Sequence, residues 1–192
     1  MYIGLSGSFG SGKSSVLKCF EEFGASVVDA DAIVASIYKD DTEFLRLLRE
    51  KFGDAIFNAD GKVDRKALGS WVFSDADELK WLEKTIHPRV NTRRIEIMRE
   101  NSEGIWIAEI PLLFEKNLEK QVDRSISVVS SYSLRVDRLK NRGFDSEEVE
   151  VRSRKQLPQN QKISRADYVI LNDGSFEFLK RQVQLLFERL QQ

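Results

Sequence analysis

Residues 7 to 14 read Gly-Ser-Phe-Gly-Ser-Gly-Lys-Ser and follow the apolar segment Tyr2 to Leu5. They satisfy the pattern G-x-x-x-x-G-K-[ST], in which a strand enters a glycine-rich turn and a helix begins near the lysine. Backbone N–H groups of such a turn can surround a phosphate, and the positive end of the helix adds to the attraction. Lys13 can reach the outer phosphates and the Ser14 hydroxyl can ligate Mg²⁺. We therefore predict a nucleoside triphosphate site, in preference to a turn that only caps a helix.

Composition limits the classes of protein to which the chain can belong. Its 192 residues fit one compact domain with insertions, and 30 basic against 31 acidic residues give a net charge of -1. This balance offers no basic excess for binding nucleic acid. The single cysteine, Cys19, is interpreted as a packed helix residue. Neither a signal peptide nor a membrane-spanning stretch is visible, so we expect a cytoplasmic protein that is monomeric or weakly self-associating.

Short apolar segments rich in β-branched residues predict buried parallel strands. They are Tyr2 to Ser6, Ser26 to Asp29, Ile105 to Ile110, Ser125 to Ser130 and Tyr168 to Leu171. A first helix is predicted from Ser14 to Phe23, ending at Gly24. These elements predict an α/β fold with a parallel-sheet P-loop NTPase core.

Two charged, helical segments interrupt this core. Between the second and third strands, helices are predicted at Ala32 to Tyr38, Thr42 to Phe52, Asp64 to Phe73, Asp75 to Thr85 and Arg89 to Asn101. A single strand-to-strand crossover needs far fewer residues. We therefore predict a core formed by residues 1–31, 103–131 and 166–192, a helical substrate-binding insertion at 32–102 and a helical lid at 132–165. Ligands of open α/β sheets bind beyond the carboxyl ends of the strands, and this arrangement suits phosphoryl transfer with exclusion of water.

Two carboxylates, Asp29 and Asp31, follow the second predicted strand. At this edge one carboxylate can hold Mg²⁺, and another can orient an attacking hydroxyl and accept its proton. Asp29 also fits the N-cap of the helix that begins near Ala30, so capping and metal binding both stay open. For Asp31 we favour catalysis over a first-turn charge. Glu109, at the end of the third strand, is a further candidate for the metal site.

Other polar and apolar candidates are less specific by themselves. His87 is the only histidine, and Pro88 predicts that a helix begins there. Pro111 ends the third strand, and Leu112 to Phe114 form either an apolar wall or a turn of the core. Phosphoryl transfer needs positive charge over the transferred group, so one or two arginines of the predicted lid at 132–165 are expected to be functional. These arginines are at positions 135, 138, 142, 152 and 154.

Together these motifs resemble dephospho-coenzyme A kinases over nearly the whole chain. The matching residues are Gly-Ser-Gly-Lys-Ser at 10–14, Asp29-Ala30-Asp31, Phe52-Gly53, Asp60 to Arg65 with Leu68 and Val72-Phe73, His87-Pro88, Pro111 to Glu115, Arg138, Arg142, Gln156, and Ala166 to Ile170 with Asn172 and Gly174. Ser8, Phe9 and Ser15 stand where this family usually has Gly, an aliphatic residue and Thr. None of the three removes a phosphate-binding group, although Phe9 adds bulk at the tip of the loop.

The resemblance implies transfer of the ATP γ-phosphate to the ribose 3′-hydroxyl of dephospho-coenzyme A, with Mg²⁺, in the last step of coenzyme A synthesis. It implies a catalytic set of Asp31 as the base, Lys13 and Arg138. The implied nucleotide-binding residues are Gly10, Ser11, Gly12, Lys13, Ser14, Ser15 and Arg142. The implied acceptor-binding residues are Asp31, Arg65, His87, Pro111, Leu112 and Leu113. Ser14 and Asp29 are the implied metal ligands.

Two other classes of protein share parts of this pattern. A nucleoside monophosphate or shikimate-type kinase has the phosphate loop and lid arginines, but it lacks the long insertion that carries His87-Pro88. A GTP-binding switch protein needs an Asn-Lys-x-Asp segment after an apolar strand. The nearest segment here, Asn172-Asp173-Gly174, lacks the lysine.

Overall fold

Short parallel strands form a five-stranded sheet in the order β2-β3-β1-β4-β5 among the residues that the structure describes. The computed structural model describes residues 1–28, 30–100, 103–154 and 156–192, with nothing stated for the side chains at 73, 100, 146–148 and 152. The strands are β1 (Tyr2–Gly7), β2 (Ser26–Val28), β3 (Trp106–Glu109), β4 (Arg124–Val129) and β5 (Tyr168–Leu171). The predicted α/β fold with a parallel sheet is therefore confirmed.

The chain divides into two units, which we call the first unit and the second unit. The first unit comprises Met1–Val28 and Ser102–Gln192, and the second comprises Asp29–Asn101. All of the sheet lies in the first unit, together with the segment that was predicted to form a lid. The division into core, insertion and lid at the boundaries given above stays a prediction.

The core of the first unit lies between the sheet and two helices. β1 is central, and all six of its residues are buried because helices or loops cover both faces of the sheet. Helix α1 (Lys13–Glu22) packs against α9 (Phe176–Leu190). Phe20 of α1 and Phe187 of α9 meet in an edge-to-face contact at 6.5 Å. This packing holds α1, the helix that follows the phosphate loop, between α9 and the sheet.

Among the described residues, three short helices lie between β4 and β5. They are α6 (Tyr132–Lys140), α7 (Ser146–Arg154) and α8 (Gln159–Arg165). α6 packs against α7, and α8 packs against β4. The segment therefore contacts the sheet through its last helix, α8, as well as being joined to it by the chain at β4 and β5.

The second unit is built from helices α2 (Ala30–Asp40), α3 (Thr42–Phe52), α4 (Arg65–Ser74) and α5 (Ala76–Glu100). Side-chain caps begin two of them: Asp41 accepts the Phe44 N–H at 2.8 Å, and Asp64 accepts the Lys66 N–H at 2.9 Å. α5 packs against both α2 and α4. Phe44 and Leu48 of α3 are fully buried.

The prediction of a helix beginning at His87-Pro88 is wrong. Pro88 lies inside the 25-residue helix α5, which runs on from Ala76 without a break. An internal proline costs about 3 kcal/mol because it lacks an N–H donor and its ring crowds the preceding turn. The helix continues because both halves carry a helical apolar pattern and α5 packs against two neighbouring helices.

Within the described residues, no helix combines the length and apolar character needed to cross a membrane.

Candidate active site

The phosphate loop adopts a conformation that depends on its glycines. Gly10 and Gly12 have φ angles of +81° and +87°, which residues with a side chain rarely adopt. A Cβ atom on Gly12 would lie 2.1 Å from Nδ2 of Asn172, and one on Gly7 would lie 2.5 Å from the Val128 carbonyl oxygen. The Ser11 N–H donates to the Ser8 carbonyl at 3.0 Å and closes the turn. The backbone therefore packs closely against β4 and the segment after β5.

Lys13 lies at the first position of α1, where the predicted phosphate-binding lysine belongs. Its ammonium group donates to the Gly7 carbonyl at 3.3 Å and lies 3.5 Å from a Glu109 carboxylate oxygen. The Lys13 side chain is 15% exposed and the Glu109 side chain 33% exposed. Glu109 ends β3, beside β1 in the sheet, so the sheet order brings this acid to the loop. Ser14 is exposed and Ser15 half-buried in the first turn of α1.

Three residues of the segment between β4 and β5 contact the loop tip at Phe9. The Gln156 side-chain oxygen accepts the Phe9 N–H at 2.9 Å, and Arg135 donates to the Phe9 carbonyl at 3.4 Å. The Phe144 ring meets the Phe9 ring edge to face at 5.2 Å. The aromatic residue that distinguishes this loop tip is therefore held by its backbone and its ring.

Arg138 is half-buried and contacts the strand ends that flank the loop. Its guanidinium group donates to the Ser130 hydroxyl at 3.0 Å and to the Asn172 carbonyl at 2.9 Å. The Asn172 side chain in turn donates to the Ser11 carbonyl at 2.8 Å. Arg142 is exposed in the turn after α6, so the two predicted lid arginines occupy different environments.

Asp173 fixes the start of α6. Its carboxylate accepts the Ser131 N–H at 2.7 Å and the Ser130 hydroxyl at 2.9 Å. The Ser131 N–H is the main reason that the pKa of Asp173 lies below its usual value. The Arg138 guanidinium acts in the same direction. A charged carboxylate thus holds the helix that carries Arg138.

A buried lysine, Lys162 of α8, forms an ion pair with Glu115. The ammonium nitrogen lies 2.9 Å from a carboxylate oxygen of Glu115, and the Lys162 side chain is 0% exposed. Burial lowers the pKa of Lys162, the Glu115 carboxylate opposes this effect, and the charges of Lys13 and Arg135 add to it. Glu115 also accepts the Leu157 N–H at 2.8 Å.

The pKa of Glu115 lies below its usual value although burial acts to raise it. Hydrogen bonds from Lys162, from the Leu157 N–H and from the Glu115 backbone, together with the charge of Lys162, outweigh burial. Leu157 follows Gln156 in the chain, so Glu115 anchors the segment whose neighbouring residue holds the loop tip. The pair is therefore part of the support of the phosphate loop.

The predicted apolar turn after β3 is divided between surface and core. Pro111 is exposed and Leu112 is half-buried, with an unusual φ of +57°. Leu113 and Phe114 are fully buried. A Cβ added to Gly4 of β1 would lie 3.2 Å from Leu113, so this leucine packs onto the sheet. Leu113, predicted as an acceptor-binding residue, thus takes part in the core turn that the sequence left open as the alternative.

The remaining predicted residues lie in the second unit or outside the described residues. Asp31 is exposed in the first turn of α2, and His87 is exposed on α5. The Arg65 guanidinium lies over the Tyr38 ring at 5.2 Å. Asp29 lies outside the described residues, so its two roles stay predictions.

A cleft of about 550 Å³ lies between α2 and α5 within the second unit. Its lining includes Ser36, Asp41 and Arg89, and the last two form an ion pair at 3.2 Å. The lining carries both signs of charge, with Glu43 and Glu96 also present. Its lining thus combines charged side chains with apolar surface.

Several residues of the site could not be assigned a role from the sequence. Gln156, Asn172 and Glu115 belong to matching motifs, but their spacing gives no reason for a contact with the loop. The sequence around Lys162 carries several charges and gives no sign of a buried ion pair. One feature of the sequence could have pointed to a contact with the loop: Asn172 is a polar residue directly after the last predicted strand. Among the described residues, no group of three or more His, Cys, Asp and Glu side chains is arranged to hold a metal ion.

Comparison with known proteins agrees with this geometry. A family model described as dephospho-CoA kinase matches residues 1–177. A dephospho-CoA kinase of Aquifex aeolicus is 38% identical over 190 residues, covering 98% of this chain and 96% of the relative. One of Thermobifida fusca is 39% identical over 191 residues, with the same coverage of both chains. A crystal structure of a Thermus thermophilus protein superposes with a TM-score of 0.77 at 36% identity, covering 99% of this chain and 97% of that one.

Proposed function

The chain belongs to the dephospho-CoA kinase family, and on that premise we propose that its first unit binds ATP and its second unit binds dephospho-CoA. The reaction of this family is ATP-dependent phosphorylation of dephospho-CoA, the final step of coenzyme A biosynthesis. The observation that carries the assignment of ATP to the first unit is the glycine-dependent loop around Lys13. That loop places a cation beside a glycine-rich turn at the end of a buried sheet, the setting in which backbone N–H groups bind phosphate.

In the proposed reaction, the ribose 3′-hydroxyl of dephospho-CoA attacks the γ-phosphorus of ATP. A new oxygen–phosphorus bond forms, the bond from the γ-phosphorus to the β–γ bridging oxygen breaks, and ADP leaves. Asp31 orients the hydroxyl and accepts its proton. The chain leaves the sheet at Val28, so Asp31 follows closely after the carboxyl end of β2. Lys13 and Arg138 stabilise the negative charge of the transferred group.

We assign the nucleotide to the loop from Gly10 to Ser15, with Arg142 as a further phosphate contact. Gly10 and Gly12 permit the close approach of the backbone, and Ser11 closes the turn. Arg142 is exposed and has the reach that a lid residue needs. Arg138 contributes from a more fixed position because two strand-end groups hold it.

By resemblance to the family, we assign Arg65, His87, Pro111 and Leu112 to acceptor binding. Arg65, His87 and Pro111 are exposed. Leu113 supports the Pro111–Leu112 turn from the core rather than from the surface. The assignment of acceptor residues follows the resemblance to the family.

Mg²⁺ is part of the proposal. The donor set suits it, because Mg²⁺ prefers hard oxygen ligands and usually takes one or two carboxylates together with substrate phosphates. The Ser14 hydroxyl, Asp29 and the partly exposed Glu109 carboxylate are the groups that would hold it. When bound, the ion neutralises charge on the β- and γ-phosphates. A cytoplasmic location and a monomeric or weakly self-associating state stay predictions.

The experiment that tests the function is a phosphate-transfer assay with ATP and Mg²⁺ against a panel of acceptors. We expect turnover with dephospho-CoA and the product phosphorylated at the ribose 3′ position. With nucleoside monophosphates or shikimate as the acceptor, ATP consumption should not exceed the background rate of ATP hydrolysis. Preferential phosphorylation of either of these two acceptors would contradict the proposal.

A further inference from the structure

Asn172 joins the end of the sheet to the phosphate loop. It follows β5 directly, and its N–H donates to the Val129 carbonyl at 2.8 Å, so its backbone is held to the end of β4. Only 7% of the residue is exposed. Its side-chain amide nitrogen donates to the Ser11 carbonyl at 2.8 Å. A buried amide of this kind has one fixed partner in the loop, 161 residues away in the sequence.

The hydrogen bond to Ser11 sets the direction of a loop N–H. The peptide unit that joins Ser11 to Gly12 is planar and trans, so its carbonyl and its N–H point in opposite directions. With the Ser11 carbonyl directed at Asn172, the Gly12 N–H is directed away from Asn172. Phosphate loops bind their ligand through backbone N–H groups turned away from the supporting protein.

The Asn172 side chain packs so closely against Gly12 that no larger residue fits at position 12. A Cβ on Gly12 would lie 2.1 Å from the Asn172 amide nitrogen, well inside any contact distance. The glycine at this position is therefore needed for its φ of +87° and for the space that the Asn172 side chain fills.

The backbone of Asn172 makes a separate contact with Arg138. The Asn172 carbonyl accepts from the guanidinium group at 2.9 Å, whereas the side-chain oxygen lies 3.5 Å from it. Substitution of the Asn172 side chain keeps the shorter contact. The loop and Arg138 can thus be perturbed separately at this residue.

We infer that Asn172 is a positioning residue for nucleotide binding, which acts by fixing the Ser11–Gly12 peptide unit with its side-chain N–H. The inference rests on the proposed placement of ATP at this loop. Removal of the donor leaves the Ser11 carbonyl without its buried partner and frees the peptide unit to turn. Loss of the side-chain donor weakens ATP binding more than it slows the chemical step, because the contact of the Asn172 carbonyl with Arg138 remains.

The test compares Asn172→Asp with Asn172→Ala. Asp has nearly the size and shape of Asn but cannot donate when ionised, and the nearby Arg138 favours its ionised form. Ala removes the side chain and leaves space. Asn160→Asp, the same change at an exposed residue of α8, is the matched control. The measurements are the Kd of a non-hydrolysable ATP analogue at pH 8, KM for both substrates, kcat and Tm.

We expect Asn172→Asp to raise the Kd of the analogue and KM for ATP by roughly ten- to a hundredfold, the range for an unsatisfied buried carbonyl opposite a charge. Asn172→Ala should raise both by roughly fivefold or more. KM for dephospho-CoA should stay within about twofold, and Asn160→Asp should match the wild type.

The rank order decides between donation and packing. If Asn172 only fills space, the truncated Ala variant must bind the analogue more weakly than the nearly isosteric Asp variant, and the inference is overturned. Equal analogue affinity in all variants also overturns it. Failure of the proposed function looks different, because the wild type would then not transfer phosphate to dephospho-CoA or would not bind the analogue.

Discussion

The two units differ in how their charged and polar side chains are connected. In the first unit, contacts join residues far apart in the sequence, such as Gln156 to Phe9 and Lys162 to Glu115. In the second unit, several ion pairs lie within one helix, such as Arg93 with Glu96 at 3.1 Å and Lys80 with Asp77 at 3.2 Å. The first arrangement fixes the position of a loop, whereas the second mainly solubilises and supports single helices.

This contrast has a consequence for mutation. Substitutions at the connected groups of the first unit should change nucleotide chemistry or global stability strongly. Substitutions at the local pairs and caps of the second unit should cost little, apart from residues that contact the acceptor. The following predictions test this contrast, beginning with the largest effect.

Lys13→Ala should lower turnover roughly a thousandfold, because it removes a cation from the outer phosphates in the transition state. Tm should change by only a few degrees, since the ion-pair partner of Lys13 is the partly exposed Glu109. A steady-state assay of ADP formation with saturating dephospho-CoA measures the effect. Lys18→Ala, at an exposed position of the same helix, is the control. Near wild-type turnover in Lys13→Ala would refute the phosphate-loop assignment.

Lys162→Met should lower the free energy of unfolding by about 3 kcal/mol, because it leaves Glu115 buried without its cation. Adding Glu115→Gln should recover part of this loss, since the uncompensated charge is then gone. Lys80→Met in the exposed pair of the second unit should cost no more than about 0.5 kcal/mol. Chemical denaturation of the four proteins tests the prediction. Equal losses at Lys162 and Lys80 would remove the contrast between the units.

The same ion pair predicts a dependence of stability on pH. The pKa of Glu115 is lower in the folded protein than in the unfolded chain, so its contribution is fully present above about pH 4.3. It is lost as the pH falls through the folded-state pKa. The stability advantage of the wild type over Glu115→Gln should therefore shrink between pH 7 and pH 3. An advantage that grows on acidification would contradict the direction of the shift.

Asp31→Asn should lower turnover roughly a hundredfold, the usual contribution of a positioned base. The affinity for an ATP analogue should change little, since the substitution leaves the phosphate loop intact. Calorimetry with the analogue and turnover at saturating dephospho-CoA give the two values. Asp40→Asn, at an exposed position of the same helix, is the control. Loss of analogue affinity in proportion to rate would mean that Asp31 serves the metal site or the fold instead.

Asp64→Ala should lower the free energy of unfolding by about 1 kcal/mol, because it removes the carboxylate that caps α4. The Kd of the ATP analogue should stay unchanged, as expected of a local contact in the second unit. Asp60→Ala, in the exposed turn before α4, should alter neither value. A change in analogue affinity at Asp64 would show that the second unit influences the nucleotide site more than its local contacts suggest.

Sequence reasoning succeeded where the signal is local. The phosphate loop carries its glycines and Lys13 in one short pattern, and β5 was predicted with its observed bounds. The position of Pro88 inside α5 could not be predicted from the sequence. The helix continues through the proline because α5 packs against neighbouring helices, and the local sequence does not show this packing. The sequence also left open whether Leu112 to Phe114 face a ligand or the core, since an apolar run is compatible with both.

The contacts of the loop could not be predicted for a different reason. Asn172 reaches Ser11 only because β5 lies beside β4 and β4 beside β1, an order that follows from the fold rather than from any short pattern. Likewise, the contacts of Gln156 with Phe9 and of Glu115 with Leu157 depend on the fold, and the spacing of these residues in the sequence does not predict them. Polar residues after strand ends are the feature of the sequence most worth testing for such roles.

Hydrogen exchange with each ligand separately tests the central claim, which is that the first unit binds ATP and the second unit binds dephospho-CoA. An ATP analogue with Mg²⁺ should protect the loop and the segment 132–165, which contacts the loop tip at Phe9. Dephospho-CoA alone should protect the second unit and leave the loop unchanged. Protection of the loop by dephospho-CoA alone, with none in the second unit, would contradict the account.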